Sequence, residues 1–569
     1  MTKQTTVEST AEAYLELLAA RGVEYLFANA GTDFAPLLEA YSRRQAQGQA
    51  LPRPITVPHE ITATAMAHGY AMVTGRPQVV MVHVIVGAAN ALGGIINAAR
   101  ANVPILFTAG RTPLNEAGFR GSRNVHIHWA QESFDQGAMF REFVKWDYEL
   151  RNYAQLETVV DRALALAQAH PQEPVYLILP REVLAERQER FDYADPTRSP
   201  RPCPVLPAPE AVAEAARILA AARNPLIIAK SLGRDPAAVP TLTALAETLG
   251  APVVEQNPTH LNFPQNHGLH MGFDAGAYIE EADAVVAVEA DVPWFPHGKH
   301  PRSEARVIQV AVDPLFSRYP IRGFPADVAL AGTPRLALDA LVEAAARLVD
   351  GSLVAERRRR WESEHARQRE AWAARARAVQ PDRPIDMAWL SRCLADVIDP
   401  ESIVVNEYDM DPTQTCFTRP GSYFMTSPAG GLGWGLGAAL GAKLAAPGRT
   451  VIATVGDGSY MFGVPTATHF VSRAAGLPVL FVVFNNRAWN AVKRATLSVT
   501  PDGWAARTGT IPLYELDPAP DFELVCRASG GHAERVEDPD ELSSALARAL
   551  KVVTEEKRQA LLNVICKKP

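Results

Sequence analysis

The sequence predicts an α/β protein built from three doubly wound parallel-sheet domains. Short, nearly continuous apolar runs such as Gln78 to His83 and Val479 to Phe484 alternate with helix-compatible segments, the pattern of strands buried on both faces of a parallel sheet. The chain has 569 residues, which at ordinary domain size makes three such units. An internal repeat adds to this. The first third runs small-residue helix, GRP, QVVMVH, helix, VPILFTAG, and the last third runs small-residue helix, PGR, TVIATVGDG, helix, LPVLFVVFNN. The expected domains are 1–190, 205–350 and 380–569.

Composition narrows the class. An apolar fraction of 47% and a charged fraction of 21% are those of a soluble globular protein. The net charge of −7 argues against a nucleic-acid surface. The five cysteines (Cys203, Cys393, Cys416, Cys526, Cys566) are scattered without metal-ligand spacing, as expected of reduced packing residues. The opening MTKQTTVEST has no apolar signal core, and no stretch is long enough to span a bilayer. A cytoplasmic enzyme without membrane partner is the expectation.

In the first third, Val7 to Ala20 reads as an amphipathic helix and Glu24 to Ala28 as a strand running into Asn29-Ala30-Gly31-Thr32. Ile55 to Val57 is a strand, Glu60 to Val73 a helix rich in Ala and Gly, and Gln78 to His83 a strand. Asn90 to Arg100 is a helix, with strands at Pro104 to Thr108 and Val175 to Leu179. Glu60 opens its helix, where a carboxylate complements the helix dipole, and His83 closes its strand.

The proline-rich run Pro200 to Pro209 marks a linker. Helix Ala211 to Ala222, strand Pro225 to Lys230, a helix ending near Gly250 and strand Pro252 to Glu255 follow, and strands Ala284 to Glu289 and Val307 to Val312 close the region. No GxGxxG follows a strand and no acidic ribose partner stands at the expected distance, so nothing here requires a nucleotide. Trp294, near a strand end, reads as core packing.

Glu356 to Arg377, with Arg357 to Arg360 in a row, reads as a solvated charged helix. The α/β pattern resumes at Met387. Strand Ile403 to Val405 leads to the loop Asn406 to Asp409, and Ser427 to Gly433 is a glycine-rich turn that allows close approach to a flat ligand. Strand Val451 to Val455 then breaks at Gly456-Asp457-Gly458-Ser459. A helix with Pro465 near its first turn follows, and strand Val479 to Phe484 ends at Asn485-Asn486. This is a βαβ unit, whose loops meet at the carboxyl edge where ligands bind. Gly456 and Gly458 let backbone N–H groups approach an anion, and Ser459 adds a hydroxyl. Asp457 and Asn486 are hard oxygen donors suited to Mg²⁺ held against a diphosphate.

GDGS, a helix and an apolar strand ending in NN resemble the fingerprint of thiamine diphosphate (ThDP) enzymes, most closely the benzoylformate decarboxylase and acetolactate synthase group. The resemblance implies ThDP with Mg²⁺ held by Asp457, Asn486 and the Ala488 carbonyl, with Trp489 beside the metal loop. It implies that the Gly430 carbonyl accepts from the coenzyme's 4′-amino group and that Leu432 is the wedge beneath its bend. VPHEITATAMAHGYAMVTGRP resembles the family's glutamate segment, which gives Glu60 the coenzyme's N1′. H-x3-G-x2-NA-x-G matches the benzoylformate decarboxylase pattern and makes His83 an active-site histidine, with Thr32 in place of that enzyme's serine and His267 as a second histidine. FVKWDYEL resembles the same enzyme, whereas AQE (Ala130 to Glu132) is closer to acetolactate synthase and brings Gln131 near substrate.

Function by this resemblance is decarboxylation of a 2-oxo acid through a ThDP-bound carbanion, followed by aldehyde release or by attack on an aldehyde or second 2-oxo acid to give a 2-hydroxy ketone. Acetolactate synthase-like carboligation and 2-hydroxyacyl-CoA lyase-like cleavage are the alternatives. Some relatives hold FAD or ADP in the middle domain. The family's coenzyme lies between two subunits, so a homodimer is the minimum unit, and a homotetramer is common for such assemblies.

Overall fold

The computed structural model describes residues 2–198 and 202–568, so the linker positions 199–201 lie outside the described residues. The N-terminal sheet has six parallel strands in the spatial order Arg53–Thr56, Tyr25–Ala28, Val79–Val82, Leu106–Arg111, Val175–Pro180 and Asp147–Glu149. The C-terminal sheet has six in the order Tyr423–Met425, Ile403–Glu407, Val451–Gly456, Leu480–Asn485, Ala560–Ile565 and His532–Val536. Counted along the chain, both follow the order second, first, third, fourth, sixth, fifth. The sequence repeat is thus a repeat of topology.

Register carries the strand ends to common edges. Ala28 lies beside both Thr56 and Met81, so the segments after these strands, with Asn29, His59-Glu60 and His83, share one edge. Glu407 lies beside Val455 and Gly456 beside Phe484, which gathers Tyr408, Asp457 and Asn485-Asn486 at the other.

The middle sheet is also parallel, ordered Val253–Glu255, Pro225–Ala229, Ala284–Val288, Arg306–Ala311 and Val328–Ala331. Its last strand was not expected. It is a four-residue edge strand with alternate residues exposed, too short and too polar in its surroundings to register as an apolar run. Also unexpected is a two-stranded antiparallel sheet in which Thr2–Thr6 pairs with Arg190–Ala194. The helix expected from Asn90 begins at Val84 and runs to Arg100, its first turn made by Val84, Ile85, Val86 and Gly87, residues of weak helix propensity. The helix expected around Pro465 is two pieces, Asp457–Phe462 and Pro465–Ala475, broken at Val464 with φ +50°.

One apolar core runs through the N- and C-terminal domains, and the middle domain has its own. The join between the outer domains is the helix Glu60–Thr74 packed against Trp434–Ala445. The backbones touch: a Cβ on Gly69 would lie 2.0 Å from the Ala438 carbonyl oxygen, and one on Gly441 would lie 2.0 Å from that of Met66. Only glycine permits this approach.

The charged helix spans Gly351–Ala378 and is largely solvated, but its arginine row is not uniformly so. Arg357 is buried and donates to the carbonyls of Leu249 (2.8 Å), Arg223 (3.1 Å) and Ala222. These carbonyls stand at the C-terminal ends of the helices Ala238–Leu249 and Pro209–Ala221, where unpaired acceptors and the dipole favour a cation. Trp294 is buried, edge-on to Phe324 at 5.2 Å. No disulfide joins the five cysteines among the described residues. No described helix is long and apolar enough to cross a membrane.

Candidate active site

The N-terminal half of the site is a cluster of polar side chains at the sheet edge. Glu60 is the first residue of its helix and is buried. Its Oε1 accepts from the Asn29 amide at 2.9 Å and its Oε2 from the Asn90 amide at 3.3 Å. Asn29 follows the strand Tyr25–Ala28 and Asn90 comes from the helix Val84–Arg100, so two elements fix the carboxylate.

Beside it, the strand Val79–Val82 ends at His83 and the chain turns sharply at Val84, whose φ of +34° is an uncommon conformation for a β-branched residue. The turn carries His83 against the segment Gly31 to Asp33. Its Nδ1 lies 2.5 Å from Asp33 Oδ1, while Asp33 Oδ2 accepts from the Val84 N–H at 3.3 Å. A Cβ on Gly31 would lie 2.1 Å from His83 Nδ1. The bond to Asp33 raises the pKa of His83 above its usual value, against the opposing effect of burial. Gln131 meets the other ring nitrogen at 3.4 Å, and Thr32 Oγ1 lies 3.4 Å from Nε2 of His128. Glu60, His83, Thr32 and Gln131 thus form one group.

His267 does not join them. It sits in the middle domain with Nε2 3.3 Å from Glu247 and its ring edge-on to Phe263 at 5.0 Å. The loop match that assigned it an active-site role rested on few residues.

The C-terminal half surrounds a cavity of about 360 Å³. All nine residues expected at a cofactor line it: Gly430, Leu432, Gly456, Asp457, Gly458, Ser459, Asn486, Ala488 and Trp489. Its other lining residues also lie between Tyr408 and Arg494, and none comes from the Glu60 cluster. Asp457 Oδ1 accepts from the Gly458 N–H at 2.8 Å, while Asp457 Oδ2 and Asn486 Oδ1 are buried without a partner. Two orphaned hard oxygens at adjacent strand ends fit a hard divalent cation. The Ala488 carbonyl accepts from the Asn490 N–H at 3.1 Å, which leaves it a second lone pair. Burial pushes Asp457 up to about 6 and, with Asp457 and Glu407 adding to it, Asp409 up to about 7. A cation there would relieve both.

Several residues at the site carried no sequence signal. Glu407, fully buried and pushed up to about 7 by burial, accepts from the N–H groups of Gly433 (2.7 Å) and Gly435 (2.6 Å), clamping the turn that bears Leu432. Asp33, Asn29, Asn90 and His128 hold the N-terminal group. Asn90 is part of the H-x3-G-x2-NA-x-G pattern, whereas only their places in the fold identify the other three.

Three family models cover these domains: the N-terminal TPP binding domain over residues 8–139, the central domain over 212–341 and the C-terminal TPP binding domain over 408–564, all of thiamine pyrophosphate enzymes. The chain belongs to the thiamine pyrophosphate enzyme family. Thiamine pyrophosphate is ThDP, and the family assignment makes this a ThDP-dependent carbon–carbon lyase or carboligase. A benzoylformate decarboxylase of Pseudomonas aeruginosa is 28% identical, the match covering 95% of this chain and 96% of the relative. A probable 2-ketoarginine decarboxylase of the same organism is 30% identical over 94% of this chain and 90% of its own. An acetolactate synthase large subunit of Parasynechococcus marenigrum is 27% identical over 96% and 86%. Among solved structures, benzoylformate decarboxylase from Polynucleobacter necessarius shares the fold with a TM-score of 0.79 at 22% identity, covering 99% of each chain.

Proposed function

We propose that this ThDP enzyme decarboxylates a 2-oxo acid and releases the aldehyde, in the manner of benzoylformate decarboxylase, with Mg²⁺ anchoring the coenzyme diphosphate. Bound ThDP supplies the electron sink for carbon–carbon cleavage. The chain's own residues do the rest. Asp457, Asn486 and the Ala488 carbonyl would hold the cation, and Leu432, set by the Glu407 clamp, would support the coenzyme. Glu60, fixed by Asn29 and Asn90, holds the proton exchanged with the pyrimidine N1′. Thr32, His83 and Gln131 face the substrate.

The single observation that carries the proposal is the His83–Asp33 pair beside Glu60. It offers an imidazole whose affinity for a proton Asp33 raises, where a carboxylate must be bound and a proton later delivered. Carboligation in the manner of acetolactate synthase is the second reading, favoured by Gln131 standing 3.4 Å from His83.

Because Glu60 and the Asp457 cavity do not share a lining within one chain, the working unit in this proposal is a homodimer whose sites combine Glu60 of one copy with Asp457 of the other, in the cytoplasm and with two such pairs forming a homotetramer. The test is CO₂ release with product identification by mass spectrometry, using acids from pyruvate to benzoylformate with ThDP and Mg²⁺, with and without added aldehyde. Free aldehyde from one acid is expected. A 2-hydroxy ketone or acetolactate as main product would move the assignment to carboligase, and no CO₂ from any acid would overturn the proposal.

A further inference from the structure

The turn Gly31 to Asp33 presents two imidazoles, one to each of two consecutive side chains. Asp33 takes His83 and Thr32 takes His128. His128 belongs to the short helix Ile127–Ala130 and is buried. Its two nitrogens have different partners: Nδ1 accepts the Asn124 N–H at 3.3 Å, and Nε2 faces Thr32 Oγ1 at 3.4 Å.

A nitrogen that accepts a hydrogen bond carries no proton, so a neutral His128 must carry its proton on Nε2. Burial, followed by the charges of Arg181, Arg123 and His83, holds His128 below its usual pKa, with Asp33 the opposing group. The Asn124 N–H that fixes the tautomer is itself held in place. Arg181 donates to the carbonyls of Gly121 (2.8 Å) and Ser122 (2.7 Å) and to Asn124 Oδ1 (3.2 Å), and a fourth bond reaches the Thr32 carbonyl at 3.5 Å.

The consequence falls on Thr32. A threonine hydroxyl has one proton and two lone pairs. If His128 donates to it, the hydroxyl proton remains free for a group on the open side. If the tautomer were reversed, Thr32 would spend its proton on His128 and offer the substrate only lone pairs. A 2-oxo acid presents acceptors alone, at its carboxylate and keto oxygens. The neighbouring group is matched: turning the Gln131 amide end for end would set its Oε1, otherwise buried without a partner, against Nε2–H of a doubly protonated His83.

We propose that His128 is a positioning residue: as the neutral Nε2–H tautomer it donates to Thr32 and makes the Thr32 hydroxyl a hydrogen-bond donor to an acceptor oxygen of the substrate. The inference rests on the reading that Thr32 faces a 2-oxo acid, and two measurements separate the two claims.

The first is NMR of the holoenzyme, loaded with ThDP and Mg²⁺ and labelled with ¹⁵N only at histidine, the His128 signals being assigned by their loss in His128→Gln. At pH 7 the Nε2–H tautomer is expected, and an Nδ1–H tautomer or an imidazolium at this position overturns the proposal whatever the substrate. The second is a double-mutant cycle on the acid that wild type turns over. His128→Leu is expected to lower kcat/KM about tenfold, mostly through KM. The double variant Thr32→Ala/His128→Leu should be no worse than Thr32→Ala alone, because His128 acts only through that hydroxyl. His128→Gln, which keeps an N–H toward Thr32, should recover most of the loss. Losses that multiply in the double variant overturn the proposal. Should wild type release CO₂ from no acid, the 2-oxo acid reading falls while the NMR result still decides the tautomer. Should His128→Leu fail to bind ThDP or to melt cooperatively, the NMR result and His128→Gln decide.

Discussion

The side chain of Asn97 makes a paired hydrogen bond with the backbone of Gly431. Its amide donates to the Gly431 carbonyl at 2.9 Å and its oxygen accepts from the Gly431 N–H at 3.0 Å, while the Asn97 carbonyl accepts from Ser427 Oγ at 2.8 Å. Asn97 stands on an N-terminal-domain helix and Gly431 next to Leu432, so the turn that bears Leu432 is held both by Asn97 of the other domain and by Glu407.

Asn97→Ala leaves both backbone groups of Gly431 unpaired. The expected cost is about 2 kcal/mol of stability, together with weaker ThDP binding. Thermal melting and coenzyme titration check it, and unchanged values in both would count against the bracing role.

The helix pair joining the outer domains makes a sharper stability prediction. Gly69→Ala and Gly441→Ala each place a methyl group 2.0 Å from a backbone oxygen, and backbone cannot rotate away as a side chain can. Each should cost about 1–3 kcal/mol or more, seen as a melting temperature lower by several degrees or as loss of soluble protein.

Gly31→Ala separates activity from stability. The new methyl would overlap the His83 ring and break the bond to Asp33 at an accessible edge of the fold. Steady-state kinetics should show a fall in kcat/KM of about a hundredfold, with ThDP affinity kept and little change in melting temperature.

The metal half of the site predicts a different pattern. Asp457→Ala removes one of the two orphaned buried oxygens and should abolish Mg²⁺-dependent ThDP retention. In the wild-type protein, a chelator should release the coenzyme during gel filtration. Retention of ThDP after either treatment would contradict the assignment of Asp457 to the cation.

A buried histidine outside the site sets a pH prediction. His68 lies edge-on to Trp434 with both ring nitrogens unpartnered, and burial pushes it down to about 3. Between the unfolded value near 6.5 and that value, the unfolded chain binds the extra proton. Stability therefore falls as pH falls through this window, by about 1.4 kcal/mol per pH unit. Glu407 and Asp409, both pushed up, act in the opposite sense, so the raw pH profile mixes several groups. The comparison isolates one: His68→Leu should flatten the fall in unfolding free energy from pH 6 to pH 4 by about one proton's worth.

The three-domain α/β architecture was legible because buried parallel strands such as Val79–Val82 and Ala284–Val288 are uniformly apolar. Val328–Ala331 and Thr2–Thr6 were not legible, being short edge strands whose pairing is decided by distant chain. At the site, residues whose chemistry demands a fixed spacing, such as Asp457 and Asn486 at the ends of adjacent strands, were readable. Asn29, Asp33 and Glu407 were not, because each acts on a partner that no local motif names: Glu60, His83 and the Gly433 and Gly435 N–H groups. His267 stands apart from the Glu60 group within one chain, its ring 3.3 Å from Glu247 on the middle domain.

Measuring CO₂ release and ThDP affinity together in wild type and Glu60→Gln decides whether Glu60 drives a ThDP-dependent lyase. Gln keeps the shape of the side chain but cannot exchange a proton. Turnover of the accepted 2-oxo acid should fall by about 10²–10⁴-fold while ThDP binds within a few fold of wild type. A Glu60→Gln protein that releases CO₂ at the wild-type rate would contradict that role.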